Sequence, residues 1–267
     1  MRKGRLVAFL RQAAFLVLGN WCLIVMMMDA MMSWSGGKDS ALALYHALRN
    51  SRYRVAHLLT SVNAHYERVS MHGVRLALLE AQASRIGLPL TQLRLAEMPS
   101  MDAYDQALLA SLTALRNEGV TTAVYGDIFL ADLRAYREAQ LARAGLRGDF
   151  PLWQRASGDI LREFWALGFR AIVVCVSDRY LDASFCGRLL DEDFVRDLPP
   201  GVDPCGENGE YHSFVFDAPY FSAPISFTKG ALVRRTYAPA ASSVASPAPN
   251  DNDPFAAGFW YCDLLPA

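Results

Sequence analysis

Between residues 22 and 178 the chain alternates short β-rich apolar runs with stretches of helical periodicity, a rhythm that few architectures accommodate. Runs at 22–34 (CLIVMMMDAMMSW), 53–63 (YRVAHLLTSVN), 89–96 (PLTQLRLA), 120–128 (VTTAVYGDI) and 170–178 (RAIVVCVSD) read as five strands. Between them, Ala41, Leu44, Tyr45 and Leu48 share one helical face, as do Val74, Leu78, Ala81 and Ile86 ahead of a stop at Gly87. Segments 101–119, 130–146 and 157–169 read as further helices. Strands separated by helices of this length need crossover connections, so the expected fold is α/β with a parallel five-stranded sheet. The nearly continuous apolar character of the first run suits a strand covered on both faces.

The rhythm changes after about residue 196, and three regions are expected. Residues 26–196 form the main domain, and 197–267 a small C-terminal α+β subdomain. Residues 1–25 are an extension that matches neither. Within the subdomain, EYHSFVFD (210–217) alternates like an antiparallel strand. Residues 237–254, rich in Ala, Pro and Ser, read as a flexible loop, and FWYCDLLPA (259–267) as an edge strand packed back onto the fold. The first 28 residues superficially resemble a signal peptide, but Arg11 and Gln12 interrupt the apolar stretch and cleavage would remove the first strand. A cytoplasmic chain is expected, with Met26, Met27, Met28, Met31 and Met32 as alternative starts.

A net charge of −1 carries no electrostatic footprint for nucleic acid or an anionic membrane. The five cysteines form no C-x-x-C pair and no zinc spacing, which fits a reducing compartment.

The first strand runs into Ser35-Gly36-Gly37-Lys38-Asp39-Ser40 just as a helix begins. Paired glycines let consecutive N–H groups turn inward, and a helix N-terminus points further N–H groups the same way. Lys38 adds a full charge and Ser35 and Ser40 add hydroxyls, so the corner suits a polyphosphate. It lacks the spacing of a Walker A loop. The other strands end in Thr60-Ser61-Val62-Asn63, Gly126-Asp127 and Ser177-Asp178, and in an open α/β sheet those ends share the ligand-binding rim.

Other segments add chemistry. Asp127 at a strand end suits a ribose, a magnesium ion or a helix cap. Arg134 and Arg137 lie three apart on one helical face, His72 and Gly73 open the second helix, and Trp153 belongs to an apolar Phe150–Trp153 wall. In DPCGENGEYHSF, Glu207 and Glu210 share a glycine-bounded turn with Asn208 and His212. Paired carboxylates can bind ammonium, deprotonate a nucleophile or hold magnesium.

The loop resembles the PP-loop of the ATP pyrophosphatases. SGGKDS, MHG, GDI…R, PLW and GENGEYHSFVFDAPYF occur in the order found in the diphthine–ammonia ligase family, with MHG closer to the bacterial variety. The resemblance covers roughly residues 30 to 230 and FWYCDLLP near the end. It implies a Rossmann-like domain of the adenine nucleotide alpha hydrolase type and ATP-dependent amidation of a carboxylate, which in archaea and eukaryotes is diphthine on elongation factor 2.

The resemblance implies ATP, ammonia, Mg²⁺ and a carboxylate-bearing acceptor, protein or small molecule, as ligands. Ser35, Gly36, Gly37, Lys38, Asp39, Ser40, Ser61, His72, Gly126, Asp127 and Arg137 are then the candidate nucleotide-binding residues. Lys38, Asp39, Glu207 and Glu210 are the candidate catalytic groups, with Asp39 on the metal and the two glutamates on ammonia. Alternative readings are a PP-loop ATP pyrophosphohydrolase, a nucleotide-binding protein without catalysis, and a tRNA-modifying enzyme. The near-neutral charge and the absence of paired cysteines weigh against the last. A chain begun at Met26 is expected to melt and to bind ATP like the full chain. Loss of folding on that truncation, read from thermal melts with and without ATP, would show instead that the extension belongs to the core.

Overall fold

The computed structural model describes residues 13–18, 21–236 and 258–267. The 237–254 segment read as a flexible loop lies outside the described residues. The described residues begin with β1 (Ala13–Leu18) and β2 (Trp21–Met26), then β3 (Met28–Ser33), α1 (Lys38–Ala47), β4 (Tyr53–Asn63) and the short β5 (Arg68–Val69). There follow α2 (Leu76–Ile86), β6 (Leu90–Leu95), α3 (Met101–Asn117), β7 (Val120–Val124), α4 (Ala131–Ala144) and β8 (Arg147–Asp149). The last part holds α5 (Ser157–Ala166), β9 (Arg170–Ser177), α6 (Glu192–Arg196), β10 (Tyr211–Asp217), β11 (Phe227–Thr236) and β12 (Gly258–Pro266).

Five strands run parallel in the spatial order β6-β4-β3-β7-β8. The antiparallel β5 pairs with β4 at Val62 and Asn63, beyond the point where β3 leaves it. The expected α/β fold with five parallel strands is therefore present. The chain steps from β3 outward to β4 and β6, then returns to the other side of β3 for β7 and β8. That reversal opens a crevice at the carboxyl ends of β3 and β7, the usual ligand position in such sheets. Successive β3 side chains are buried on opposite faces: Ala30 and Met32 join one core cluster and Met31 the other.

Membership of the sheet differs from the sequence reading. The fifth parallel strand is β8, three residues reading Arg-Gly-Asp, and not 170–178. Residues Arg170–Ser177 instead run antiparallel to β10 and β12 inside a second sheet of order β10-β9-β12-β11. Seven of those eight residues are buried, so the run looks the same whether helices or a neighbouring layer cover it. β8 is too short and too polar to register as a strand. The change of sheet thus falls between Asp149 and Arg170, ahead of residue 196.

The tail is also placed differently. β12 lies between β9 and β11, with Cys262 and Leu264 buried, and β11 forms the edge. The run 22–34 divides at Met27: β2 pairs with β1 in a separate two-stranded sheet, and the parallel strand begins at Met28.

One core cluster spans both sheets, joining Leu42, Leu44, Leu78 and Leu79 of α1 and α2 to Ile172, Val174, Phe214 and Val215. The second sheet is therefore packed directly against the helices that frame the crevice. Deleting residues 258–267 removes an interior strand and is expected to abolish cooperative thermal melting followed by circular dichroism. A truncated chain that melted like the full one would refute the interior placement of β12.

Candidate active site

β3 ends at Ser33, and the backbone turns through Trp34, Ser35 and Gly36 into α1. Gly36 has φ +77°, and a Cβ there would lie 2.6 Å from Gln82 Oε1, so both conformation and space demand glycine. Gly37 is the N-cap of α1 and supplies no capping side chain, which leaves first-turn N–H groups to find other partners. The Lys38 amide donates to Ser213 Oγ of β10 at 3.2 Å. The Gly37 amide has only a long bond to Ser35 Oγ, at 3.3 Å. Ser40 Oγ donates to the Gly37 carbonyl and lies 3.1 Å from Ser35 Oγ. Gly126, just past β7, touches the first turn of α1: a Cβ would meet the Asp39 carbonyl carbon at 2.7 Å.

These elements enclose a cavity of about 240 Å³. Ser35, Gly37, Lys38, Asp39, Ser40, His72, Gly126, Asp127, Arg137 and Glu207 line it, as do Tyr125, Leu130, Leu133, Tyr211, His212 and Ser213.

Lys38 is buried, and its Nζ donates to Asp39 Oδ2 at 2.7 Å and to the Cys205 carbonyl. Burial opposes its charge most strongly of any one influence, but the Asp39 carboxylate, with Tyr211 and Cys205 adding to it, more than offsets that and raises Lys38 above its ordinary range. Burial raises the Asp39 carboxyl against the pull of Lys38, and Asp203 and Asp127 add like charge. Among the described residues Asp39 Oδ1 has no hydrogen-bond partner. Asp127 is held by Arg137 through two bonds, of 2.6 and 3.1 Å, and the guanidinium lies 4.4 Å from the Tyr125 ring centre.

The opposite wall is the 203–210 turn. Glu207 Oε1 accepts from the Ile128 amide at 2.8 Å, and its own amide donates to Asp203 Oδ2. Burial pushes the Glu207 carboxyl up to about 7, helped by Asp39 and opposed by the Ile128 bond. Glu210 departs from its expected role at the reacting groups. Its side chain is 1% exposed and does not line the cavity. Its oxygens accept from the amides of Asp203 and Asn208 and from Asn208 Nδ2, so it shapes the turn from within.

His72 lines the cavity and stacks on His212, ring centres 4.4 Å apart. Burial, with the Lys38 charge, lowers His72 to about 4 against a backbone hydrogen bond at Ser213, so both rings stay neutral. Gly36 turns away from the cavity, and Ser61, on β4, does not line it. Arg134 sits over the Phe150 and Trp153 rings, at 4.5 and 4.6 Å, and pairs with Glu138, so Arg134 and Trp153 also stand outside. Ser177 and Asp178 end a strand of the other sheet and do not join the rim.

Tyr211 and Ser213 were not singled out from the sequence. Tyr211 is buried with its ring 5.3 Å from Lys38 Nζ, and its hydroxyl donates to the Pro204 carbonyl. Alternation in EYHSFVFD does not mark them, because Tyr211, His212 and Ser213 line the cavity in succession where the pairing with β9 shifts register.

Residues 27–148 match the family described as the diphthamide synthase N-terminal domain, and residues 156–235 match the diphthamide synthase C-terminal domain. The chain belongs to this family. It is 38% identical to the human diphthine–ammonia ligase over 79 residues, covering 28% of this chain and 30% of the human protein. The rat and bovine diphthine–ammonia ligases align over the same shares, at 39% and 38% identity. These alignments thus span less than a third of the relatives' own length. The family boundary near residue 150 falls where the chain leaves the parallel sheet for the second one. Among the described residues no helix is long and apolar enough to cross a membrane. Nor do three His, Cys, Asp or Glu side chains converge there as a metal-binding set.

The raised Glu207 carboxyl has a stability consequence. It holds its proton more tightly folded than unfolded, so it weakens the fold progressively as pH rises from about 4.5 to about 7 and no further above that. Glu207→Gln lacks that proton and still accepts from Ile128. Its melting midpoint relative to the native chain is expected to rise between pH 5 and pH 7.5 and then level off. A difference independent of pH would remove the assigned shift.

Proposed function

We propose that the chain is an ATP-dependent ligase that joins a carboxylate and ammonia into an amide, with release of AMP and pyrophosphate. What carries this reading is the single cavity where the 35–40 loop, the Gly126-Asp127 strand end and Glu207 meet. The relatives called diphthine–ammonia ligase support an acid–ammonia ligase as the reaction class.

In the first step an acceptor carboxylate oxygen attacks the α-phosphorus of ATP. The bond to the bridging oxygen breaks, pyrophosphate leaves, and an acyl-adenylate remains. The open N–H groups at the start of α1 and the hydroxyls of Ser35 and Ser40 stabilise the charge that grows on pyrophosphate. Lys38, kept protonated, supplies the positive field. Leu130, Leu133 and Tyr125 form an apolar wall beside the Asp127–Arg137 pair, suited to a nucleoside.

In the second step ammonia attacks the activated carbonyl, and AMP departs with the electrons of the carbon–oxygen bond. The surplus proton on nitrogen passes to Glu207, whose pKa near 7 suits proton exchange at neutral pH. Glu210 acts only by holding the turn. The neutral His72–His212 stack limits the positive charge on this wall.

The donor set fits a divalent cation carried in by phosphates: Asp39 Oδ1 lacks any donor, and Asp127 and Asp203 bring negative charge near it. Asp39 would hold the ion, and Mg²⁺ bound there would neutralise phosphate charge. The near-neutral net charge favours a protein or small-molecule acceptor over nucleic acid, and a cytoplasmic reaction belongs to the same proposal.

α-Labelled ATP incubated with ammonium, with and without cell extract, tests the reaction through its products. Lys38→Ala is expected to slow pyrophosphate release by about 100-fold or more. Asp39→Asn is expected to weaken Mg²⁺-dependent ATP binding. Glu207→Gln should bind ATP normally and lose ammonium-dependent AMP formation. Native rates in Lys38→Ala would sink the loop assignment, and lost ATP binding in Glu207→Gln would place the turn in the nucleotide site.

A further inference from the structure

Gln82, on α2, is fully buried and lies outside the cavity lining, yet its amide touches three parts of the frame around the loop. Its Nε2 donates to the Gly36 carbonyl at 3.1 Å and to the Val215 carbonyl of β10 at 2.6 Å. Its Oε1 accepts from the Trp34 indole at 2.9 Å. An indole N–H can only donate, so that bond decides which end of the amide is oxygen.

The Gly36 carbonyl accepts a second bond, from the Val215 amide, at 2.9 Å. A trans peptide holds its C=O and N–H in opposite directions, and the chain has no cis peptide among its described residues. With the Gly36 carbonyl held toward α2 and β10, the Gly37 N–H of the same peptide is turned the other way. Gly37 lines the cavity, and its N–H has only the long bond to Ser35 Oγ.

We infer that Gln82 is a positioning residue for the loop: by holding the Gly36 carbonyl back, it presents the Gly37 N–H to a phosphate group in the cavity. This rests on the reading that a polyphosphate binds there. Gln82 touches no substrate itself. It also ties the loop to β10, the strand that carries Ser213 and Tyr211. The absence of a side chain at position 36 follows from the same contact, because a Cβ would collide with Gln82 Oε1.

The test compares Gln82→Met and Gln82→Leu, which lose every polar contact, with Trp34→Phe, which loses the indole bond and leaves both bonds to Gly36. Two readouts are needed: the Gly37 amide resonance on titration with inorganic pyrophosphate, and kcat for pyrophosphate release from ATP. Both are taken below each variant's own melting midpoint.

The native chain should show a pyrophosphate-dependent Gly37 shift. Either Gln82 variant should lose that shift and about tenfold or more of kcat. Trp34→Phe should keep both, even where its melting midpoint falls as far. A Gln82 variant that retains the shift and the rate overturns the inference. So does a Trp34→Phe protein as impaired as Gln82→Met, which would mean general loosening, and so does a native Gly37 amide indifferent to pyrophosphate. Where native Gly37 responds but ATP is not cleaved, the ligase reading fails alone and the resonance data decide the role of Gln82. Should Gln82→Met not fold, Gln82→Leu is read in its place. If neither folds, Gln82 acts as a core residue and the inference is overturned.

Discussion

Val215 donates its amide to the Gly36 carbonyl, and Ser213, two residues earlier on β10, accepts the Lys38 amide. Tyr220 adds a bond to the Ala41 carbonyl in the next turn of α1. The second sheet is thus fastened to the first turns of the helix that follows the glycine pair. A helix start without a capping side chain leaves N–H groups that must be paired or wetted. Here β10 satisfies one of them and orients the loop so that others border the cavity. The contact is close at Gly37, where a Cβ would lie 3.1 Å from the Ser213 carbonyl oxygen of β10. Neither sheet alone would shape the site.

The same packing sets the electrostatics. Lys38 enters a buried position where its charge would be unfavourable without Asp39 beside it and the Cys205 carbonyl ahead of it. Asp127 is matched by Arg137 in a two-bond pair. Glu207 has no cationic partner of that kind, only an amide, and burial therefore lifts it toward neutrality. Neighbouring carboxylates thus have different partners, a guanidinium for Asp127 and a backbone amide for Glu207, within one cavity.

Much of the site was legible in local spacing. Ser35 through Ser40, His72, Asp127 and Glu207 belong to segments whose glycine content or strand-end position announced them, Arg137 to a helical pair with Arg134, and apart from Gly36 they line one cavity. Glu207 and Glu210 looked equivalent in GENGE, yet the turn aims one at the cavity and buries the other among its own amides. Gln82 sits unremarked on an apolar helical face, because a buried amide is recognised only through the carbonyls it meets. β11 escaped notice because most of its residues are exposed, and its presence at the edge is what moves the tail into the sheet's interior.

Local order in the chain determined the α/β class, most of the strands and helices, and the position of a glycine-rich corner at the end of the first parallel strand. Periodicity and glycine placement act over a few residues, and they can be read in the chain without knowing its partners. The tertiary structure alone decided that Arg170–Ser177 joins the second sheet, that β12 lies inside that sheet, and that Glu210 faces inward. It alone brought Gln82 and Val215 to the Gly36 carbonyl. Strand pairing and burial depend on which distant segment arrives alongside, and an apolar run carries no record of its neighbour until the core is assembled.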